Sequence, residues 1–299
     1  VTPAWVSDRR VLALTVAAIW GFNMIAVKIG VESIPPLFFL ALRFMAVSLL
    51  VVPFMPLPRG RMKGLIGLGL IMGVGHFGAL FWGLSQVDAA VGAVMIQLGP
   101  PFSAVLAALL LKDLPGWRRG LGIGLAFVGA AVLGVASAGP AEGGGSDPRF
   151  LALLIWAAFA WALGNVLGRH LRDLHPLTVT GWISLLAWPP LLALSFLLEE
   201  GQIAATLAAP WTTWAALAYI CLGSSIVAYG LWYWLLGRFP VSQVAPFALV
   251  APFISVGAGV ALLGETLSTG KLLGGALVLA GVIILELRLI RRGRTPEVP

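Results

Sequence analysis

Residues 122–129 read Gly-Ile-Gly-Leu-Ala-Phe-Val-Gly, and residues 274–281, displaced by 152, read Gly-Gly-Ala-Leu-Val-Leu-Ala-Gly. Each octet lies inside an apolar run of about 20 residues, the length a helix needs to cross a hydrocarbon core of about 30 Å. The correspondence extends outward from these octets. At the same displacement Asp113-Leu114 lies over Glu265-Thr266. At 151, Pro101-Phe102 lies over Pro252-Phe253 and Trp82 over Tyr233; at 141 or 142, Trp20, Asn23 and Pro35 lie over Trp161, Asn165 and Pro176. Small gaps bring all of these pairs into one alignment, so the chain reads as two copies of one unit.

Composition names the solvent of those copies. Of 299 residues, 60% are Ala, Val, Ile, Leu, Met, Phe, Trp, Tyr or Cys and 10% are charged, with a mean hydropathy of +0.99; soluble domains carry about 45–50% apolar and about 25% charged residues. This composition does not fit a soluble fold. The single cysteine, Cys221, excludes an intrachain disulfide. Three scattered histidines, His76, His170 and His175, leave a Cys/His metal site short of ligands, so no metal and no other cofactor is expected. The net charge of +7 does not point to nucleic acid, because the basic residues fall in short clusters between apolar runs instead of forming one patch.

Apolar runs bounded by charge, Pro or Gly predict ten membrane-spanning helices near 11–30, 36–54, 64–86, 89–111, 117–138, 149–168, 177–198, 211–236, 241–263 and 269–288. The expected fold is all-α: a polytopic membrane protein with a first repeat at 11–138, a Gly-rich linker at 139–148 and a second repeat at 149–289. With the N-terminus inside, fifteen of the 19 Lys and Arg residues fall in inside segments and three, Lys28, Arg149 and Lys271, in outside ones; Arg43 lies within a span. Basic residues resist translocation, so both termini are expected in the cytoplasm. Arg9-Arg10 ahead of an apolar run also has the form of a secretory signal, but no small-residue cleavage site follows. Five spans per half is an odd number. The second copy must therefore enter the membrane from the opposite side, giving the inverted repeat of many secondary transporters, whose substrate site lies near the midplane between the halves.

Polar groups inside spans must find protein partners or line a wet cavity. His76 sits on a stripe of Gly69, Gly73, Leu80 and Gly83, and is either a substrate contact or a helix-to-helix hydrogen bond. Trp20 with Asn23, and Trp161 with Asn165, repeat one pairing of an indole with an amide about one turn away, which matches an apolar side chain carrying an ammonium and a carboxylate; a plain cross-link between helices is the alternative. Gln97, Ser225 and Tyr229 are further candidates, with Trp82, Trp182 and Tyr233 as aromatic walls. Trp5, Trp117 and Trp211, at span ends, are expected in the interfacial belt. Pro101, after Pro100, and Pro252 free backbone carbonyls and supply kinks or hinges. Lys28, Glu32 and Arg43 are assigned to gating or structure. No acid lies in the middle of any span, which favours a neutral or zwitterionic substrate over a lipophilic cation.

The set Trp20-Gly-Phe-Asn23, Lys28, Pro35-Pro36, Arg43, Pro101 and Gly264-Glu265-Thr-Leu resembles the EamA family of the drug/metabolite transporter superfamily over nearly the whole chain. Within that family it is most similar to the YddG-type exporters of aromatic and other amino acids. The resemblance implies ten helices in two repeats, cytoplasmic termini and export of metabolites across a bacterial inner membrane. The family's glycine-acid turn stands in the first half as Lys112-Asp113, a departure from the pattern. The function expected is export of aromatic and other neutral amino acids by alternating access, by a monomer embedded in lipid. Rivals are a carrier of nucleotide sugars or other metabolites from the same superfamily, an intramembrane hydrolase using Gly223-Ser-Ser225 with His76, and a non-transporting scaffold. The first lacks a strongly basic cavity. The second lacks a third orienting group and an oxyanion motif, and the polar pairs within both halves speak against the third.

Overall fold

A computed structural model describes residues 9–111, 116–138, 146–171, 173–236, 238–239 and 241–292. Among them are helices and no strands. Nine helices are long and apolar enough to cross a membrane: α1 (Arg9–Ser33), α2 (Pro36–Phe54), α3 (Met62–Gln86), α4 (Ala89–Leu110), α5 (Trp117–Ala138), α6 (Pro148–Leu167), α7 (Pro176–Leu198), α8 (Trp211–Leu236) and α9 (Pro246–Leu263). The last, α10 (Thr269–Arg292), contains a shorter apolar stretch, Thr269–Leu285. These ten correspond to the ten expected spans. The two tight connections also exist: only Val87 and Asp88 separate α3 from α4, and the helix Val241–Ala248 runs into α9. Lys112-Asp113, Trp5 and most of the 139–148 linker lie outside the described residues.

In lipid, helices associate through close packing, because the surrounding tails are as apolar as leucine. The two octets that define the repeat supply such contacts. A Cβ built on Gly129 would come within 2.5 Å of the Val278 backbone nitrogen, and one on Gly274 within 2.5 Å of the Leu133 nitrogen. Backbone thus meets backbone where α5 crosses α10. Gly120 and Gly124 have nothing within 4 Å and point away from this seam. Elsewhere Phe39, Phe81, Leu84, Met95 and Leu154 fill the centre, while Leu49, Phe54, Leu109, Val135 and Leu197 lie on the outer surface. Trp117 and Trp211 stand 75% and 78% exposed at the starts of α5 and α8, the position expected of belt residues.

Two departures from regular helix shape the interior. Residues Gly69–Gly78 in α3 and Tyr219–Ala228 in α8 are π-helical, ten residues each, starting 150 positions apart, and each is followed by an eight-residue α-helical segment. Extended π-helix is rare and recurs at functional sites. In α4 the turn Ile96–Leu98 tightens to 3₁₀ immediately before Gly99-Pro100-Pro101, and α9 is interrupted at 249–250 just before Pro252. A proline ring clashes with the carbonyl four residues earlier, which puts the disturbance on the N-terminal side of each proline, as expected of kinked helices.

Candidate functional site: a central cavity

The irregular segments surround a cavity of about 860 Å³. Its wall is built from α1, α2, α3 and α4 of the first half and α6, α7, α8 and α9 of the second. Trp20, Asn23, Arg43, His76, Gln97, Trp161, Asn165, Ser225, Tyr229 and Pro252 all line it.

One wall is aromatic. The Trp20 ring lies 5.4 Å from Tyr229 and 5.2 Å from Trp232, centre to centre. Tyr229, at the junction of π- and α-helix, is thereby aimed across at α1. The facing wall carries His76, whose ring lies 4.9 Å from Trp161. His76 Nδ1 is 2.8 Å from the Ala157 carbonyl of α6. A carbonyl only accepts, so Nδ1 carries the hydrogen, and Nε2 of the neutral ring is an acceptor. The helix-to-helix bond therefore occupies only one of the two nitrogens of the ring. The Asn23 amide oxygen is buried without a hydrogen-bond partner, whereas Asn165 is exposed on the cavity wall. Gln97 sits in the 3₁₀ turn made by the proline pair. Arg43, 3% exposed, donates from Nη2 to Ser225 Oγ at 3.1 Å.

The two ends of the cavity differ. Lining residues continue through Gly168, Leu171, Leu174 and Pro176 to the end of the bundle formed by the α6–α7 connection. At the other end, two carboxylates of the second half grip helix starts of the first. Glu199 accepts from the Leu37 and Phe38 nitrogens at 2.8 and 3.2 Å. Glu265 accepts from the Ala89 and Ala90 nitrogens, the latter at 2.9 Å. The first turn of a helix has free N–H groups and the positive end of its dipole, so an acid there is well placed. Lys28 donates to the Leu84 and Val87 carbonyls at 3.0 and 3.1 Å and lies 3.6 Å from Glu32, and Lys271 pairs with Asp88 at 2.6 Å. None of these side chains is among the residues that line the cavity.

Residues 10–135 and 149–287 each match the EamA-like transporter family. The chain belongs to that family. A Salmonella typhimurium protein named a probable amino-acid metabolite efflux pump is 31% identical over 245 residues, covering 80% of this chain and 81% of that one. An Escherichia coli K12 protein of the same name is 29% identical over 248 residues, with the same coverage. One solved crystal structure superposes with a TM-score of 0.62 over 97% of this chain and 99% of its own, at 20% identity, which bears on the fold alone. The protein is a multi-pass membrane transporter of small molecules, not an enzyme.

Within this EamA-like transporter, some residues singled out from sequence lie off the cavity wall. Trp82 packs at the edge of the main apolar cluster and Trp182 against Leu65, Leu68 and Leu171. Pro101 lies behind Pro100, which does line the cavity, and Lys28 and Glu32 belong to the end held by the Glu199 and Glu265 contacts. The Tyr233 side chain is outside the described part. Sequence reasoning missed Glu199, Ser255, Phe77 and Trp232. Glu199 was legible as an acid closing an apolar run, but its partner lies 162 positions away. Ser255 looks like any small helical residue until its hydroxyl is seen donating to the Gly21 carbonyl at 2.6 Å.

Proposed function

We propose that this transporter exports amino acids, aromatic and other neutral ones, across the bacterial inner membrane, with both termini in the cytoplasm. The observation that carries the reading is the wall of the 860 Å³ cavity, where Trp20, Trp161, Tyr229 and Trp232 alternate with Asn23, Gln97, Asn165 and His76. Pockets of about 300–1,000 Å³ enclose small molecules. Broad apolar faces discriminate poorly among side chains, and a few fixed polar groups read what all amino acids share. The names of the Salmonella and Escherichia relatives support the same class of substrate.

Transport in this reading is alternating access between two inverted five-helix halves. The latches made by Glu199 and Glu265 hold the outer end shut while the cavity reaches the cytoplasmic end; substrate enters there, and the latches release to let it out. The π-helical segments and the proline-disturbed turns supply the deformable parts of α3, α4, α8 and α9.

The test is flux of labelled amino acids into or out of liposomes holding the purified protein, with and without a proton gradient. We expect flux of aromatic and small neutral amino acids. His76→Ala and Asn165→Ala should each lower it about tenfold, the size of one lost hydrogen bond to a charged group. Absence of flux for every amino acid sinks the substrate class, and unchanged flux in both variants sinks the site.

A further inference from the structure

Arg43 is the only cation on the cavity wall among the described residues, and its charge is poorly answered. It is 3% exposed in the interior of α2, and no ion pair reaches it among the described residues. Of its three nitrogens, Nη2 donates to Ser225 Oγ, while Nε and Nη1 are buried without a hydrogen-bond partner. A guanidinium has five N–H donors and no acceptor, so most of its donors are unused. Three rings offset part of the charge: the guanidinium carbon lies 4.6 Å from the centre of Phe77, 5.5 Å from Phe44 and 5.6 Å from Phe81. Such contacts attract the cation but leave its Nε and Nη1 without an acceptor, and a buried charge without an ion pair is among the most costly features a membrane protein holds. Phe44 and Phe77 themselves line the cavity, as does Ser225.

We propose that Arg43 is the carboxylate subsite of this transporter. This rests on the amino-acid reading above and deepens it. The guanidinium receives the α-carboxylate through paired N–H donors, the geometry for which arginine is suited. Ser225, held in turn by donating to the Ile220 carbonyl at 2.9 Å, fixes the orientation of the group from the opposite half. Phe77 shields the cation and must rotate for the anion to reach it. The subsite therefore joins α2 of one half to the π-helical part of α8 in the other, and a substrate lacking the anion cannot draw them together. His76 Nε2 is left for the ammonium. The role of Arg43 is thus in recognition, in place of the gating or structural role that the sequence reading assigns it.

The test separates acid from amide. In liposomes bearing the protein, labelled L-phenylalanine and L-alanine are competed with themselves or with L-phenylalaninamide and L-alaninamide. In the wild type, each amide should compete about 10- to 100-fold more weakly than its acid. In Arg43→Gln the acid should fall to the level of the amide, with the amide unchanged. Arg43→Lys should retain a smaller preference for the acid, and Ser225→Ala should narrow it several-fold. A purely structural arginine would lower acid and amide together, and that result overturns the proposal. If Arg43→Gln does not fold, wild-type discrimination in both Arg43→Lys and Ser225→Ala overturns it equally. Wild-type flux of neither amino acid removes the amino-acid reading first and the subsite with it.

Discussion

Gly264 and Glu265 are neighbours that divide one task. Gly264 takes a φ of 67°, the left-handed conformation that ends a helix and that a Cβ disfavours. This lets the Glu265 N–H donate back to the Gly259 carbonyl at 3.2 Å and turns the Glu265 side chain onto the start of α4. The glycine-acid pair is thus a helix stop followed by a cap for a different helix. Burial pushes the Glu265 carboxyl above the ordinary carboxylate value of 4.5; the N–H donors of Ala90 and Ala89 oppose this, Asp88 adds to it and Lys28 opposes it. Lys271 pairs with Asp88 and donates to the carbonyl of Thr266, the residue after Glu265, at 3.1 Å. A carboxyl that holds its proton more tightly when folded contributes stability below its unfolded value, and loses that contribution as pH rises through its raised folded value. The melting temperature in detergent should therefore fall as pH rises above about 4.5, and Glu265→Gln should flatten that dependence over the same interval. An identical slope in the variant would assign the effect to other groups.

At the scale of helices, two kinds of contact hold the bundle and respond to different changes. The α5–α10 seam depends on absent side chains. A Cβ on Gly129 meets backbone, which cannot turn aside as a side-chain end can, so Gly129→Val must push the helices apart. A cost of about 1–3 kcal/mol is expected, as for overpacking in general. Gly124→Val, with open space before it, should leave the melting temperature of the monomer unchanged. Equal melting of the two variants would mean that the seam carries no stability. The carboxylate latches respond to charge instead. Glu199→Ala and Glu265→Ala each strand two N–H groups at a helix start, worth about 0.5–2 kcal/mol by analogy with other caps, and so bias the bundle toward opening at that end. In a Cys221→Ala background, a cysteine replacing Met24 on the cavity wall should be labelled faster from outside by an impermeant maleimide when the latches are removed. Unchanged labelling would show that they do not hold that end shut.

For the whole molecule, what matters is how two similar halves are threaded. The proposed inverted arrangement, with five spans per half and the basic residues kept inside, places the connection between the halves and the C-terminal tail on opposite faces of the membrane. A cysteine at Ser146 should be labelled in intact cells, and one at Thr295 only after the membrane is permeabilised. Labelling of both from the same side would break the inverted arrangement and, with it, alternating access.

Much of this was open to reading in one dimension. Solvent and helix count followed from composition and run length, since a hydrocarbon core of set thickness demands apolar runs of set length. Trp20, Asn23, His76, Gln97, Trp161, Asn165 and Tyr229 stood out because polar and aromatic groups inside apolar runs need a reason to be there, and they all line one cavity. Trp82 and Trp182 carried the same signal yet pack elsewhere, because periodicity along one helix does not say which neighbour it faces. Only the tertiary structure could join Glu199 to Leu37, Glu265 to Ala90 and Arg43 to Ser225, pairs separated by 162, 175 and 182 residues. Such partners are chosen by how whole helices cross, and crossing is set by the packing of many side chains at once. The local pattern determined which residues have to be inside; the packing of ten helices decided what each of them meets there.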